Sequence, residues 1–112
     1  MTKAILTAVL GLAFSSHPAP ATLGVGASEF HLVLSRASVK AGVVEIQLQN
    51  VGQDPHDLRV RRVGGTHTFS IPPTDPGKRR TILIRLRRGR YKLWCSVANH
   101  AALGMQAFLR VR

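Results

Sequence analysis

Apolar side chains recur at every second position over most of this chain, a period that suits strands with one buried face and excludes amphipathic helices. Phe30, Leu32 and Leu34 share a face, and Val44, Ile46 and Leu48 alternate with Glu45, Gln47 and Gln49. Ile82, Ile84 and Leu86 alternate with Leu83, Arg85 and Arg87, and Leu109 and Val111 alternate with Arg110 and Arg112. Turn signals punctuate these runs: Lys40-Ala41-Gly42, Asn50 to Pro55, Val63-Gly64-Gly65, Pro72 to Gly77 and Arg88-Gly89-Arg90. About six or seven strands at this spacing predict an all-β sandwich or closed barrel. With 112 residues, 45% hydrophobic and 19% charged, the chain supplies one globular core and is too apolar for disorder. That length excludes kinase, dinucleotide-fold and TIM-barrel architectures.

The first 21 residues read as an address. Lys3 precedes an apolar run from Ala4 to Phe14, and Ala19-Pro20-Ala21 supplies small residues for a cleavage site. The run is too short to cross a bilayer, which takes about 20 residues. Residues 1–21 are therefore expected to be a signal peptide, with Ala27 as a later cleavage alternative, and residues 28–112 to form the domain. Export to a periplasmic, envelope or secreted location follows. The single cysteine excludes an internal disulfide, a four-cysteine zinc site and a two-cysteine dinuclear copper site.

One segment carries chemistry. Tyr91 to Met105 contains Cys95, His100 and Met105 in a Cys-x4-His-x4-Met pattern at the end of a predicted strand, and Pro55-His56 follows another strand that ends in Asn50. Along the Cys95 strand, Tyr91, Leu93 and Cys95 fall on the inward face while Lys92 and Trp94 point away. One thiolate, two imidazoles and a thioether make a soft, mixed donor set; trigonal His2Cys ligation with a weak axial Met is the blue-copper arrangement. Taken singly, Cys95 also reads as a small buried thiol, His100 as a polar loop residue and Met105 as a core filler. His17, His31 and His67 lie outside the pattern and are expected to hold no metal.

These features resemble the cupredoxins, the small type I copper proteins of the plastocyanin and azurin family. The resemblance rests on Asn50 before Pro55-His56, the Pro76-Gly77 turn, Gly89-Arg90-Tyr91 leading into Cys95, and Gly104-Met105 before the last strand. It implies a Greek-key β-sandwich of about seven strands holding one copper ion, with His56, Cys95 and His100 as equatorial ligands and Met105 as the axial one. The loop spacing is similar to that of rusticyanin-like members. Asp57 departs from the pattern, since many members carry Asn after the first His. The resemblance further implies a monomeric one-electron carrier, not an enzyme, whose transient redox partner docks on the apolar loop around His100. A copper-handling protein would need the same four ligands.

The formal net charge is +11, and eleven of the sixteen basic residues lie between Arg59 and Lys92. This balance suggests steering toward an acidic redox partner, or an anionic envelope surface, as much as a solvated basic face. Nucleic-acid binding is disfavoured because few aromatic residues remain outside the expected core. With five acids in all, hydrolytic catalysis is poorly supplied. A metal-free basic sandwich adhering to anionic polymers is the remaining alternative.

Overall fold

The computed structural model describes Ala4, Gly11 and residues 18–112. The expected signal peptide falls largely outside the described residues. Among the described residues nine strands follow in chain order: β1 (Ala21–Ser28), β2 (His31–Leu34), β3 (Ser38–Val39), β4 (Gly42–Asn50), β5 (His56–Arg62), β6 (Thr68–Thr74), β7 (Arg79–Leu86), β8 (Gly89–Trp94) and β9 (Gln106–Val111). They form two mixed sheets, β2-β1-β4-β7 and β3-β9-β8-β5-β6, and the fold is all-β as the alternation predicts. Leu23, Val25, Ile46 and Leu48 from the first sheet, with Leu58, Val60, Leu93 and Leu109 from the second, are buried between them.

Two elements differ from the sequence reading. The first sheet begins at Ala21, so the domain carries a strand ahead of the expected start at residue 28. β1 runs parallel to β4 over seven paired positions, Ala21↔Val44 through Ala27↔Asn50, and buries Leu23, Val25 and Ala27. Its alternation is muted because Gly24 and Gly26 occupy the outward positions. Cleavage after Ala27 would remove this strand. The second difference is at Pro72-Pro73, expected in a turn but placed within β6. β6 is the edge of its sheet, where a missing N–H leaves no ladder bond unmade.

Strand order brings the chemistry to one end. β5 is antiparallel to β8 with Arg59 opposite Trp94, so the start of β5 at His56 lies beside the end of β8 at Cys95. β8 then pairs antiparallel with β9, and residues 95–105 form the loop that joins them. At the other end of β8, the Tyr91 hydroxyl donates to the Arg87 carbonyl at 3.0 Å and accepts from the Arg87 N–H at 3.1 Å. That pairing fixes the strand at its origin.

Leu23→Ala deletes a fully buried side chain from β1 and should cost about 2–5 kcal/mol, read as a lower urea midpoint. An unchanged midpoint would show that β1 is not part of the cooperative core.

Candidate metal centre

The structure gathers His56, Cys95 and His100, all buried, with one donor atom from each lying within 4.8 Å of the others. Cys95 Sγ is 3.8 Å from His56 Nδ1 and 3.7 Å from His100 Nδ1. A first-row ion with metal–sulfur and metal–nitrogen bonds of about 2.3 and 2.0 Å, opened to a trigonal angle, requires a separation of about 3.8 Å. Both sulfur–nitrogen separations suit one shared ion, and the His2Cys donor set fits copper. The two imidazoles lie 5.1 Å apart at 58°, and Phe30 covers His100 at 5.0 Å.

Local backbone geometry produces this convergence. His56 lies next to an irregularity in the β5–β6 register, between His56 and Leu58. In the 95–105 loop, Ala98 adopts φ 44°, which reverses the chain, and His100 N–H then bonds the Val97 carbonyl at 3.1 Å. Met105 is fully buried; its N–H donates to the His100 carbonyl at 3.1 Å, and its carbonyl accepts from Cys95 N–H at 3.2 Å. Gly104, at φ 106°, supplies the turn just before Met105. The loop thus ties Cys95, His100 and Met105 into one unit.

No protein-family model matches the sequence, and no curated protein does. Solved structures do. Auracyanin A, a "blue" copper protein from the green thermophilic photosynthetic bacterium Chloroflexus aurantiacus, aligns at TM-score 0.68 and 17% identity, over 84% of this chain and 100% of its own. A purple cupredoxin from Nitrosopumilus maritimus aligns at 0.58 and 19% over 82% of this chain and 99% of its own. Rusticyanin aligns at 0.64 and 16%, covering 85% and 82%. The chain has the cupredoxin fold.

Within this cupredoxin fold, each of the three clustered residues has a carboxylate behind it. Glu29 Oε1 lies 3.0 Å from His56 Nε2 and also accepts the N–H groups of Gln53 and Asp54, each at 2.7 Å. That contact assigns the His56 proton to Nε2 and leaves the Nδ1 lone pair facing Cys95, the role an acceptor behind a metal-ligating histidine performs. Asp54 Oδ2 lies 3.5 Å from His100 Nε2. Asp57, buried beside Cys95, accepts the Ser96 N–H at 2.6 Å and bonds the Ser96 hydroxyl, while Arg59 Nε reaches its other oxygen at 3.4 Å. Three of the five acids of a strongly basic chain therefore surround this cluster.

Asn50 and Gly52 make the Glu29 contact possible. The Asn50 amide donates to the carbonyls of Asp54 and Thr74 at 2.7 and 2.8 Å, and its side-chain oxygen accepts from Gly52 N–H at 2.9 Å. A Cβ at position 52 would stand 2.6 Å from both Glu29 carboxylate oxygens, so only glycine admits this approach.

Two ionisations are displaced. The Asp54 N–H foremost, then those of Gln53 and Glu29 and the His56 ring, outweigh desolvation and lower the Glu29 carboxyl from 4.5 to about 2. Burial pushes the Cys95 thiol up, against the downward pull of N–H groups from Val97 and Asp57. The negative Asp57 carboxylate adds to the upward push.

Sequence reasoning named His56, Cys95, His100 and Met105. The structure brings the first three together and buries Met105 on the same loop. His100 is 6% exposed, more enclosed than an open imidazole edge. His31 and His67 are exposed and join no cluster among the described residues, and His17 lies outside them. Glu29 and Asp54 were missed as partners of the two imidazoles. Asp54 sits in the turn before His56, a usable signal, whereas Glu29 is 27 positions away and carried none.

Because the folded Glu29 carboxyl ionises below its usual value, the stability it contributes is full above about pH 4.5 and is lost as pH falls toward about 2. In the metal-free protein, Glu29→Gln should flatten this part of the urea-midpoint profile between pH 6 and pH 3; an unaltered profile would contradict the contact. Gly52→Ala should cost about 1–3 kcal/mol by displacing the same carboxylate.

Proposed function

We propose that this protein is an exported one-electron carrier holding a single copper ion through His56, Cys95 and His100, with Met105 as a weak axial ligand. The buried sulfur with an Nδ1 atom 3.8 and 3.7 Å away on each of two histidines, the separation a trigonal ion requires, carries this reading. Bound copper would supply the Cu(II)/Cu(I) couple. The chain's own residues hold the donors still. Glu29 fixes the His56 tautomer, Asp57 pins Ser96 next to the thiolate, and the loop hydrogen bonds join Met105 to both Cys95 and His100. Donors held in one geometry cannot relax far between oxidation states, which keeps the reorganisation on electron transfer small.

The burial of all four residues favours a carrier over a protein that stores or delivers copper, because metal release would require opening the loop. The apolar loop beside His100, with Ala98, Ala102 and Leu103 exposed, is the proposed contact for a transient redox partner. No helix among the described residues is long and apolar enough to cross a membrane. Export rests on the leader-like pattern of residues 1–21.

Adding Cu(II) to the metal-free protein should produce an intense visible band from thiolate-to-copper charge transfer, with release of about one proton at neutral pH because the buried thiol starts protonated. Cys95→Ser should abolish the band, whereas Met105→Leu should keep it and shift the potential. A colourless Cu(II) adduct would refute the proposal.

A further inference from the structure

The outer face of β5, β8 and β9 carries a dense cationic array. Arg61 stands opposite Lys92, and Arg90 opposite Arg110, on neighbouring antiparallel strands. Like charges placed directly across a strand pair destabilise a sheet. Among the described residues none of these four enters an ion pair; on this face only Arg59 does, with Asp57. The first sheet differs: in β7, Arg80 faces Leu48, Arg85 faces Val43 and Arg79 donates to Gln49, so no cation there opposes another.

We propose that this face docks the acidic surface of a partner protein. Calling that partner a redox protein rests on the carrier reading; the docking itself does not. The like-charge pairs are an unfavourable arrangement in the free chain that partner carboxylates would neutralise. Guanidinium groups suit this role because their planar fork receives carboxylates in bidentate fashion.

The face is unsuited to the other anionic occupants. Cations flank both of its aromatic rings: Arg90 lies 4.0 Å over Phe108, which keeps 43% of its surface exposed, and Arg61 and Lys92 each lie 5.6 Å from Trp94. An unpaired base would have to displace these cations to stack on either ring, so two rings make a poor platform for single-stranded nucleic acid. No exposed aliphatic side chain stands on this face to enter a lipid interface: among the described residues Val33 and Leu83 belong to the opposite sheet, and Val51, Val63 and Leu103 lie outside the strands.

The pole beside His100 has the wrong sign for acidic groups. Asp54, half exposed, and Glu29 lie there and repel a carboxylate-rich surface. An acidic partner thus meets the cations of the second sheet, leaving the apolar loop for uncharged contact.

Binding of the copper-loaded protein to poly-L-glutamate at low salt, read by amide NMR shifts and titration, tests this assignment. Shifts should centre on Arg61, Arg90, Lys92 and Arg110. The double variant Arg61→Gln/Lys92→Gln should lose at least tenfold in affinity while its thermal midpoint holds or rises. The control Arg80→Gln/Arg85→Gln, with the same change in net charge, should lose less than threefold. Equal losses in the two pairs, shifts centred elsewhere, or tighter binding to phosphatidylglycerol vesicles than to poly-L-glutamate would each overturn the proposal. The visible copper band reads the metal site separately in every variant.

Discussion

A thiol and two imidazoles cannot be packed at the end of an apolar core unless their outward polar atoms find partners, since an unsatisfied buried group costs about 1–3 kcal/mol. That requirement organises the whole pole of this molecule. No described buried side-chain nitrogen or oxygen lacks a hydrogen-bond partner, and the partners of the cluster come from distant parts of the chain. A single oxygen of Glu29, between β1 and β2, gathers His56 and two backbone N–H groups of the 50–56 loop. Asp57, at the start of β5, does the equivalent for the loop after β8. The Glu29 link joins the two sheets at the point where the core gives way to polar atoms, and the Asp57 link ties β5 to the loop after β8 within the second sheet.

The same acids have an electrostatic role. Negative groups placed behind the imidazoles and beside the thiolate would favour the more highly charged oxidation state of an ion held among them. Here they stand in a chain whose remaining surface is strongly positive. Their concentration at one end separates the charge of the molecule into a small acidic pole and wide basic flanks.

Much of this was legible in the sequence, for identifiable reasons. The alternating runs of β4 and β9 report burial on one face directly, and Cys95, His100 and Met105 are close enough in sequence to be read as a unit. The inward alternation of Tyr91, Leu93 and Cys95 correctly aimed the thiol at the core. Less visible was β1, whose outward glycines weaken its alternation and whose position after a leader-like run invites assignment to the leader. Pro72-Pro73 read as a turn because sequence does not reveal that β6 is an edge strand. Glu29 was not legible at all: its role depends on Gly52 and on a fold that returns the chain to its beginning, and neither leaves a local pattern.

Tyr91, Leu93 and Cys95 place the sulfur flush with the core, at 0% exposure. Because the chain has no second cysteine, the thiol can be lost only to another molecule or to a small oxidant, and both require access that the closed sandwich denies. The packing that shapes the pole therefore also governs how long the protein keeps in air: its shelf life should follow the rate at which the 95–105 loop opens rather than the intrinsic reactivity of the thiol.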